Sequence, residues 1–260
     1  MTGFELSAGA RRAIAELTAK GRGARWEPAE AFQDDRRIAL PRFMPRRLYV
    51  AIVSQFLHGE RATVRLCRQL KSAVDDADVQ AFLDTQIADE IRHAQAYEMY
   101  LERLGGAHPI DPHLAAALDR ALGWEGPPQA WLLGFHVLLE GEALRTLLDF
   151  QAAWPCPVFA WMNTRISRDE ARHVAFGKRF LADTLPALPD ARHQAIYADL
   201  KTLWREAGSG LLGGARVPGF FTRRLRRRWL ETGWEQHRRA FAEVGLRMDQ
   251  GAAQEPDRAA

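Results

Sequence analysis

The pattern of apolar and polar positions shows no strand-like alternation, and helix-breaking residues divide the chain into long stretches. Pro45 predicts the start of a first long helix, which ends near Asp75 and Asp76. Asp78 predicts the N-cap of a second long helix, which ends at Gly105-Gly106. The pattern therefore predicts an all-α chain.

Prolines mark the helices that follow. A short helix is expected to end near Leu122, and Gly126-Pro127-Pro128 opens a third long helix. That helix is cut by Trp154-Pro155-Cys156-Pro157, and a fourth runs from there to about Thr184. Two further helices, near 190–207 and 221–246, are predicted to pack outside the first four.

These boundaries predict a four-helix bundle with additional N- and C-terminal helices. At 260 residues and 47% hydrophobic composition, the chain can bury one sizeable core. The predicted organisation is an N-terminal helix and strap over 1–44, the four-helix bundle over 45–185, accessory helices over 186–247 and a disordered tail over 248–260.

Two cysteines are too few for a disulfide framework, and the first residues lack the basic-then-apolar pattern of a signal peptide. The longest nearly apolar stretch, 130–139, is far shorter than the roughly 20 residues that span a bilayer. We therefore expect a cytoplasmic protein without a transmembrane segment.

The chemistry is indicated by a repeat at an offset of 80 residues. Each half has a Glu, then 28 residues, then Asp-Glu-X-Arg-His. The repeated carboxylates and imidazoles are Glu60, Glu90 and His93 in the first half and Glu140, Glu170 and His173 in the second.

This spacing predicts a dinuclear metal site. Glu and His three residues apart lie on one face of a helix, and a lone Glu on the facing helix completes each half-site. Four unpaired carboxylates in a helical core would each cost several kcal/mol. Two divalent cations balance them, and an oxygen-rich ligand set with one imidazole per metal suits iron or manganese.

The residues around these ligands repeat as well. Asp89 and Asp169 each precede a Glu of the repeat and point about 100° away from it, where each can accept the free ring N–H of a histidine on a neighbouring helix. Arg92 and Arg172 are placed to pair with those aspartates.

With these motifs the chain resembles the oxygen-activating branch of the ferritin-like di-iron carboxylate superfamily, which includes ribonucleotide reductase small subunits. The doubled Asp-Glu-X-X-His is similar to the motif of para-aminobenzoate N-oxygenases. The Arg before each His is similar to the Arg at that place in acyl carrier protein desaturases. The stretch from Asp169 to Leu181 looks like that of aldehyde-deformylating oxygenases. The resemblance covers roughly residues 45–185. It implies that the six repeated residues are catalytic iron ligands, with Glu90 and Glu140 or Glu170 bridging.

Two departures bear on the reaction. Ile166 stands where the N-oxygenases have an extra histidine ligand. Tyr97 has the spacing of the radical tyrosine of ribonucleotide reductase small subunits, although those chains are longer, and we interpret it as a packed tyrosine near the metals.

A substrate pocket is expected where the two halves differ, because a pocket need not share the symmetry of the ligands. His136, one turn before Glu140, has three open interpretations: an added ligand, a proton carrier beside the ligands, or a satisfied core histidine. The pocket candidates are Phe56, Thr63, Gln86, Tyr97, His136, Ala143, Ile166 and Phe176.

The C-terminal helix is strongly basic. Between Arg223 and Ala240 it holds seven arginines against Glu231 and Glu235. We expect its aromatic positions, Phe221, Leu225 and Trp229, to pack on the bundle and its arginines to face water. Docking of an acidic partner protein and binding to an anionic membrane surface are the alternatives, and no nucleic-acid partner is expected.

The resemblance implies an O2-dependent di-iron oxidase or oxygenase with two iron ions, or a Mn/Fe pair, and dioxygen as co-substrate. The expected substrate is a small organic molecule or one tethered to an acyl carrier protein, and the electron donor a ferredoxin or flavin reductase. A homodimer is the expected assembly. The alternative function is a non-enzymatic iron-binding or ferroxidase protein.

Overall fold

The computed structural model describes residues 4–42, 44–153, 156–213 and 219–248, with side chains outside 209–226. Within these ranges the regular structure is helical, which confirms the all-α prediction. The α-helices are α1 (Ala8–Gly23), α2 (Arg46–Ala73), α3 (Ala77–Glu102), α4 (Pro112–Leu122), α5 (Pro128–Leu132), α6 (Glu140–Ala153), α7 (Pro157–Thr184), α8 (Asp190–Gly213) and α9 (Gly219–Glu243). Short 3-10 turns cover Pro28–Phe32 and Leu185–Ala187.

The bundle consists of two helical hairpins. Helix α2 packs against α3, α6 packs against α7, and α3 meets α7 across the bundle. Two large apolar clusters occupy its two ends: one includes Leu66 and Phe176, the other Leu57 and Ile166. Along α2 and α7, the repeated Glu and His residues lie between the residues of the two clusters. The repeated residues therefore form a charged layer across the middle of the bundle.

The N-cap of α3 is Asp76, so the prediction of Asp78 was wrong. The Asp76 side chain accepts hydrogen bonds from the backbone N–H groups of Asp78 (3.0 Å) and Val79 (3.1 Å). Asp78 lies inside the first turn, where its carboxylate pairs with Arg11 at 2.9 Å. A carboxylate one or two residues before the first free N–H groups satisfies them better than one within the turn.

The third bundle helix is interrupted by a π-helix over Leu133–Leu139, between α5 and α6. This segment carries His136 and ends immediately before Glu140. A π-helical turn adds a residue to the turn and rotates the side chains that follow, and such turns are frequent at functional sites. The sequence predicted one uninterrupted helix here.

Helices α1, α4, α8 and α9 pack outside the hairpins. Helix α1 lies on α3 and α7, and a Cβ on its Gly21 would meet Thr85 Oγ1 at 2.9 Å, so glycine allows the close approach. Helix α8 lies on α4, and α9 lies on α8, where Trp229 stacks on Trp204 at 5.2 Å.

The basic helix was predicted to pack its aromatic positions inward and to expose its arginines. Of those aromatic positions, the structure describes the side chain of Trp229, which packs on Trp204, and Arg227 and Arg228 are exposed. The side chains of Phe221 and Leu225, and the predicted tail beyond Met248, lie outside the described residues. None of the described helices combines the length and the apolar character that a bilayer crossing requires.

Candidate metal centre

The six residues of the repeat meet at the centre of the bundle. Glu60 extends from α2, Glu90 and His93 from α3, Glu140 from α6, and Glu170 and His173 from α7. Each is buried, and the most exposed, Glu60, retains only 8% of its accessible surface. The helical hairpins therefore bring all six predicted ligands to one place.

Their ligand atoms form two overlapping groups, and within each group the atoms lie within 4.8 Å of one another. One group contains Glu60, Glu90, His93 and Glu170, and the other contains Glu90, Glu140, Glu170 and His173. Glu90 and Glu170 belong to both groups, so each of these carboxylates lies close to the ligand atoms of both halves.

Both histidines direct Nδ1 at the carboxylates. His93 Nδ1 lies 3.4 Å from Glu90 Oε2 and 3.3 Å from Glu170 Oε1. His173 Nδ1 lies 3.0 Å from Glu90 Oε1 and 3.6 Å from Glu170 Oε2. These separations suit atoms that share a bound cation as neighbours.

The donor set fits a metal pair. Four of its buried atoms have no hydrogen-bond partner among the described residues: His93 Nδ1, His173 Nδ1, Glu90 Oε2 and Glu140 Oε2. Such atoms cost about 1–3 kcal/mol each when left unsatisfied, more for charged groups. A pair of cations, one in each group, would satisfy all four.

The surroundings of the donor set favour the protonated form of four of its residues. Burial, reinforced by Glu90, raises the pKa of Glu60, and burial together with Glu170 raises the pKa of Glu140. Burial alone would lower the pKa of His93 and His173, but the carboxylates around them outweigh it and raise both pKa values. The site therefore holds protons that a metal must displace.

Two aspartates orient the histidines, and they do so across the halves of the repeat. His93 Nε2 donates to Asp169 Oδ2 at 3.2 Å, and His173 Nε2 donates to Asp89 Oδ2 at 3.3 Å. Because a carboxylate only accepts, each Nε2 carries a proton, and each Nδ1 can offer its lone pair to a metal once any proton on it is displaced.

Both arginines of the repeat lie beside these aspartates. Arg172 donates to Asp169 Oδ1 at 3.0 Å and also to Asp89. Arg92 donates to Asp89 and lies 3.5 Å from Asp169 Oδ2. The two guanidinium groups thus balance the two carboxylates outside the centre.

Trp26, which the sequence analysis missed, belongs to this outer layer. Its Nε1 donates to Asp169 Oδ2 at 3.1 Å, its ring is stacked 6.1 Å from the His93 ring, and Arg92 lies 5.3 Å from its ring centroid. The residue precedes the repeat and has no counterpart in it, so spacing carried no signal for it.

The pocket candidates fall into three sets. Phe56, Thr63 and Ala143 line a cavity beside the centre, described below. Tyr97 stacks on Phe56 at 5.8 Å, Phe176 stacks on Phe82 at 3.9 Å, and Ile166 lies in an apolar cluster. Gln86 and His136 form a hydrogen-bonded link to Glu140 instead.

The differences between the halves compensate one another. Phe56 stacks on Tyr97 in the first half, and the equivalent residues of the second half are His136 and Gly177. A Cβ on Gly177 would lie 2.5 Å from His136 Cβ. Glycine in place of the tyrosine therefore makes the room that His136 occupies.

An apolar cavity opens on the centre, with about 100 Å³ open to the centres of water molecules. That is several times the roughly 10–15 Å³ that one water needs. Glu60, Glu140 and Glu170 reach it from the centre, and almost all of the remaining wall is apolar. The other lining residues are Gln55, Phe56, Gly59, Thr63, Leu114, Leu118, Phe135, Leu139, Glu142, Ala143, Thr146, Leu147, Trp204 and Ala207.

Glu142 is a buried carboxylate in this wall that no predicted ligand set includes. Arg145 donates to it, and His237 Nε2 of α9 lies 3.3 Å from its Oε2. Arg145 also lies 5.6 Å from the Trp229 ring. This cluster links α6 to α9 beside the cavity.

Comparison with solved structures identifies the fold. A variant of an R2-like ligand-binding oxidase with an anaerobically reconstituted Mn/Fe cofactor aligns with a TM-score of 0.65 at 15% identity, covering 87% of this chain and 92% of that chain. The R2-like ligand-binding oxidase from Sulfolobus acidocaldarius aligns with a TM-score of 0.60 at 17% identity, covering 94% of each chain. No protein-family model and no curated protein sequence matches the chain.

The chain therefore has the ferritin-like helical fold, as its sequence predicted. Within that fold it is similar over nearly its whole length to R2-like ligand-binding oxidases. Its buried carboxylates and imidazoles are positioned for a dinuclear metal site.

Proposed function

We propose that this protein is an O2-dependent oxidase or oxygenase that uses a pair of iron ions, or one manganese and one iron, to oxidise a small apolar organic substrate. The observation that carries the proposal is the junction of a dinuclear donor set with an apolar cavity at Glu60, Glu140 and Glu170. The Mn/Fe cofactor of the structurally similar oxidase supports the choice of metals.

The proposed ligands of one metal are Glu60 and His93, and those of the other are Glu140 and His173. Glu90 and Glu170 would bridge the two. Such a pair, when bound, supplies redox chemistry and a binding place for dioxygen. Substrate binding, exclusion of water and orientation of the ligands would be the work of the protein's own residues.

The apolar wall would hold the substrate against the carboxylates and exclude water from the centre. Phe56 and Leu147 lie on this wall, as does Trp204 from α8. Asp89 and Asp169 would keep the imidazole protons on Nε2, so that Nδ1 stays available to the metal throughout the reaction.

Several finer features belong to this proposal. Reduction of the metal pair would require two electrons from outside, for which we propose a ferredoxin or flavin reductase. We further propose a homodimer acting in the cytoplasm on a free or carrier-tethered substrate, with hydroxylation, desaturation, N-oxygenation and C–C cleavage as the candidate reactions.

The decisive experiment is elemental analysis of iron and manganese in protein made in metal-supplemented cells. About two metal ions per chain are expected in the wild type, and few in the His93→Ala, His173→Ala double variant. Oxygen consumption by the reduced, loaded protein then tests the reaction class. Absence of bound metal after anaerobic reconstitution with Fe²⁺ would refute the proposal.

Iron storage or ferroxidation by a non-enzymatic protein is the competing function. An acidic path to the metals would favour it, whereas the wall of the cavity that reaches Glu60 and Glu140 is mostly apolar, with Glu142 as a further carboxylate. This wall favours an organic substrate over a hydrated cation.

A further inference from the structure

The two halves of the centre differ at one pair of equivalent positions that touches the proposed ligands. Gln86 precedes Glu90 by one turn, and at the offset of 80 residues its counterpart is Ile166. Gln86 is fully buried and lies against Glu140, whereas the isoleucine has no group that can donate to Glu60. The repeat is therefore symmetric in its ligands but not in their hydrogen bonding.

The contacts of Gln86 assign its orientation. Its Nε2 donates to Glu140 Oε1 at 2.6 Å and lies 3.5 Å from Glu90 Oε1. The amide oxygen then faces His136 Nε2 at 2.9 Å. Because that oxygen only accepts, His136 Nε2 is the donor, which locks the amide and keeps it from flipping.

His136 is itself held by features that only its own half possesses. It lies in the π-helix, packs 5.5 Å from the Phe176 ring, and fills the space left by Gly177. The structure gives His136 a positioning contact that none of its three interpretations named: its Nε2 is hydrogen-bonded to Gln86, and His136 belongs to neither group of potential metal ligands found among the described residues.

We propose that Gln86, locked by His136, makes the two metal positions unequal. Glu140 Oε1 accepts the hydrogen bond from the Gln86 amide. Its other oxygen, Oε2, has no hydrogen-bond partner among the described residues and is left as a single fixed ligand atom. Glu60 lies 3.6 Å from His93 Nδ1 beside the aromatic Phe56, and both of its oxygens can rearrange. The position of Glu140 and His173 therefore binds a divalent cation more tightly than the position of Glu60 and His93.

The physical reason is preorganisation. A hydrogen bond to a carboxylate favours its ionised form, and a ligand already in place loses less conformational freedom when the metal arrives. Loss of such an outer partner typically weakens metal binding by about 10- to 100-fold. Since this inference rests on the proposed metal centre, its test must separate a missing centre from a symmetric one.

The test is an anaerobic titration of the full-length, metal-free protein with Mn²⁺, with free Mn²⁺ followed by its electron paramagnetic resonance signal. In the wild type we expect two dissociation constants at least about 10-fold apart. Glu140→Ala should abolish the tighter class, and Glu60→Ala the weaker one. Gln86→Leu should weaken the tighter class by about 10- to 100-fold and leave the weaker class unchanged.

Ile166→Leu is the matched control at the equivalent position, and it should change neither constant. His136→Phe, which copies the residue of the other half, should act in the same direction as Gln86→Leu, and circular dichroism checks that each variant is folded. Equal constants in the wild type, or an unchanged tight class in both Gln86→Leu and His136→Phe, would overturn the inference while leaving the metal centre intact. Failure of the wild type to bind Mn²⁺ would overturn both proposals.

Discussion

Glu60 and Glu140 are carboxylates whose pKa values are raised mainly by burial. A Glu with a raised pKa stays protonated at pH values where an ordinary Glu is ionised, and it must lose that proton to bind a metal. Metal affinity should therefore rise with pH through the raised pKa values and fall on acidification. Mn²⁺ titrations at about pH 6 and about pH 8 measure this, with weaker binding expected at the lower pH. Equal affinity at both would contradict the assignment.

Gly177 offers a test of packing at a single residue. Its substitution Gly177→Ala places a Cβ 2.5 Å from His136 Cβ, which the neighbouring helix must accommodate by shifting. Overpacking of this kind costs about 1–3 kcal/mol. Urea denaturation of the metal-free protein should show a loss of that size.

Gly141→Ala is the control for this substitution. Gly141 is also helical, but an added Cβ would meet nothing within 4 Å. Alanine favours a helix interior over glycine by about 1 kcal/mol, so this variant should be as stable as the wild type or slightly more so. A loss of stability in Gly141→Ala equal to that in Gly177→Ala would refute the packing argument.

At the residue scale, the sequence was informative wherever the repeat marked a position twice. Glu60 and His93 were singled out because their counterparts recur at a fixed offset. Trp26 was not, because it has no counterpart at that offset and reaches the site through a tertiary contact with Asp169. A residue that occurs in only one half of the repeat cannot be recognised from the offset between the halves.

The corrected start of α3 leads to a prediction at the scale of the helix. Asp76 and Asp78 both pair with Arg11, each at 2.9 Å, but only Asp76 caps the helix. Asp76→Ala should therefore destabilise the protein by about 1 kcal/mol more than Asp78→Ala. Chemical denaturation of the two variants measures the difference in the free energy of unfolding. Equal losses would contradict the capping role of Asp76.

The helices themselves were predictable because prolines and glycines mark their ends. The short helix predicted to end near Leu122 does so in α4, and the end predicted near Thr184 is that of α7. The π-helix over Leu133–Leu139 was not predictable, because its hydrogen-bond register depends on the neighbouring helices rather than on local propensity. His136 of this segment packs closely against Gly177 of α7, a contact across the bundle that local propensity does not reveal.

For the whole molecule, a metal that binds the folded chain must stabilise it. At a free metal concentration about 100 times the dissociation constant, one site adds about 2.7 kcal/mol to the free energy of unfolding. Anaerobic addition of Fe²⁺ or Mn²⁺ should therefore raise the thermal unfolding midpoint of the wild type. The double variant His93→Ala, His173→Ala should show little change, and an equal rise in both proteins would indicate binding elsewhere.

The sequence predicted the bundle and its centre but not the shape of the cavity. The cavity wall combines residues of α2 and α6 with Leu114 of α4 and with Trp204 and Ala207 of α8. Helices α4 and α8 lie outside the repeat, so their contribution depends on how they dock. Composition and periodicity do not determine that docking.

The crossed aspartate–histidine pairs limit how such a protein can be divided or can have arisen. Neither hairpin contains the partner of its own imidazole, because Asp89 serves His173 and Asp169 serves His93. A fragment holding one hairpin would keep its Glu-X-X-His sequence and leave its ring unoriented. A half-length ancestor would accordingly have had to associate with a second copy of itself before either imidazole was held in place, and duplication would then have made that partnership permanent within one chain.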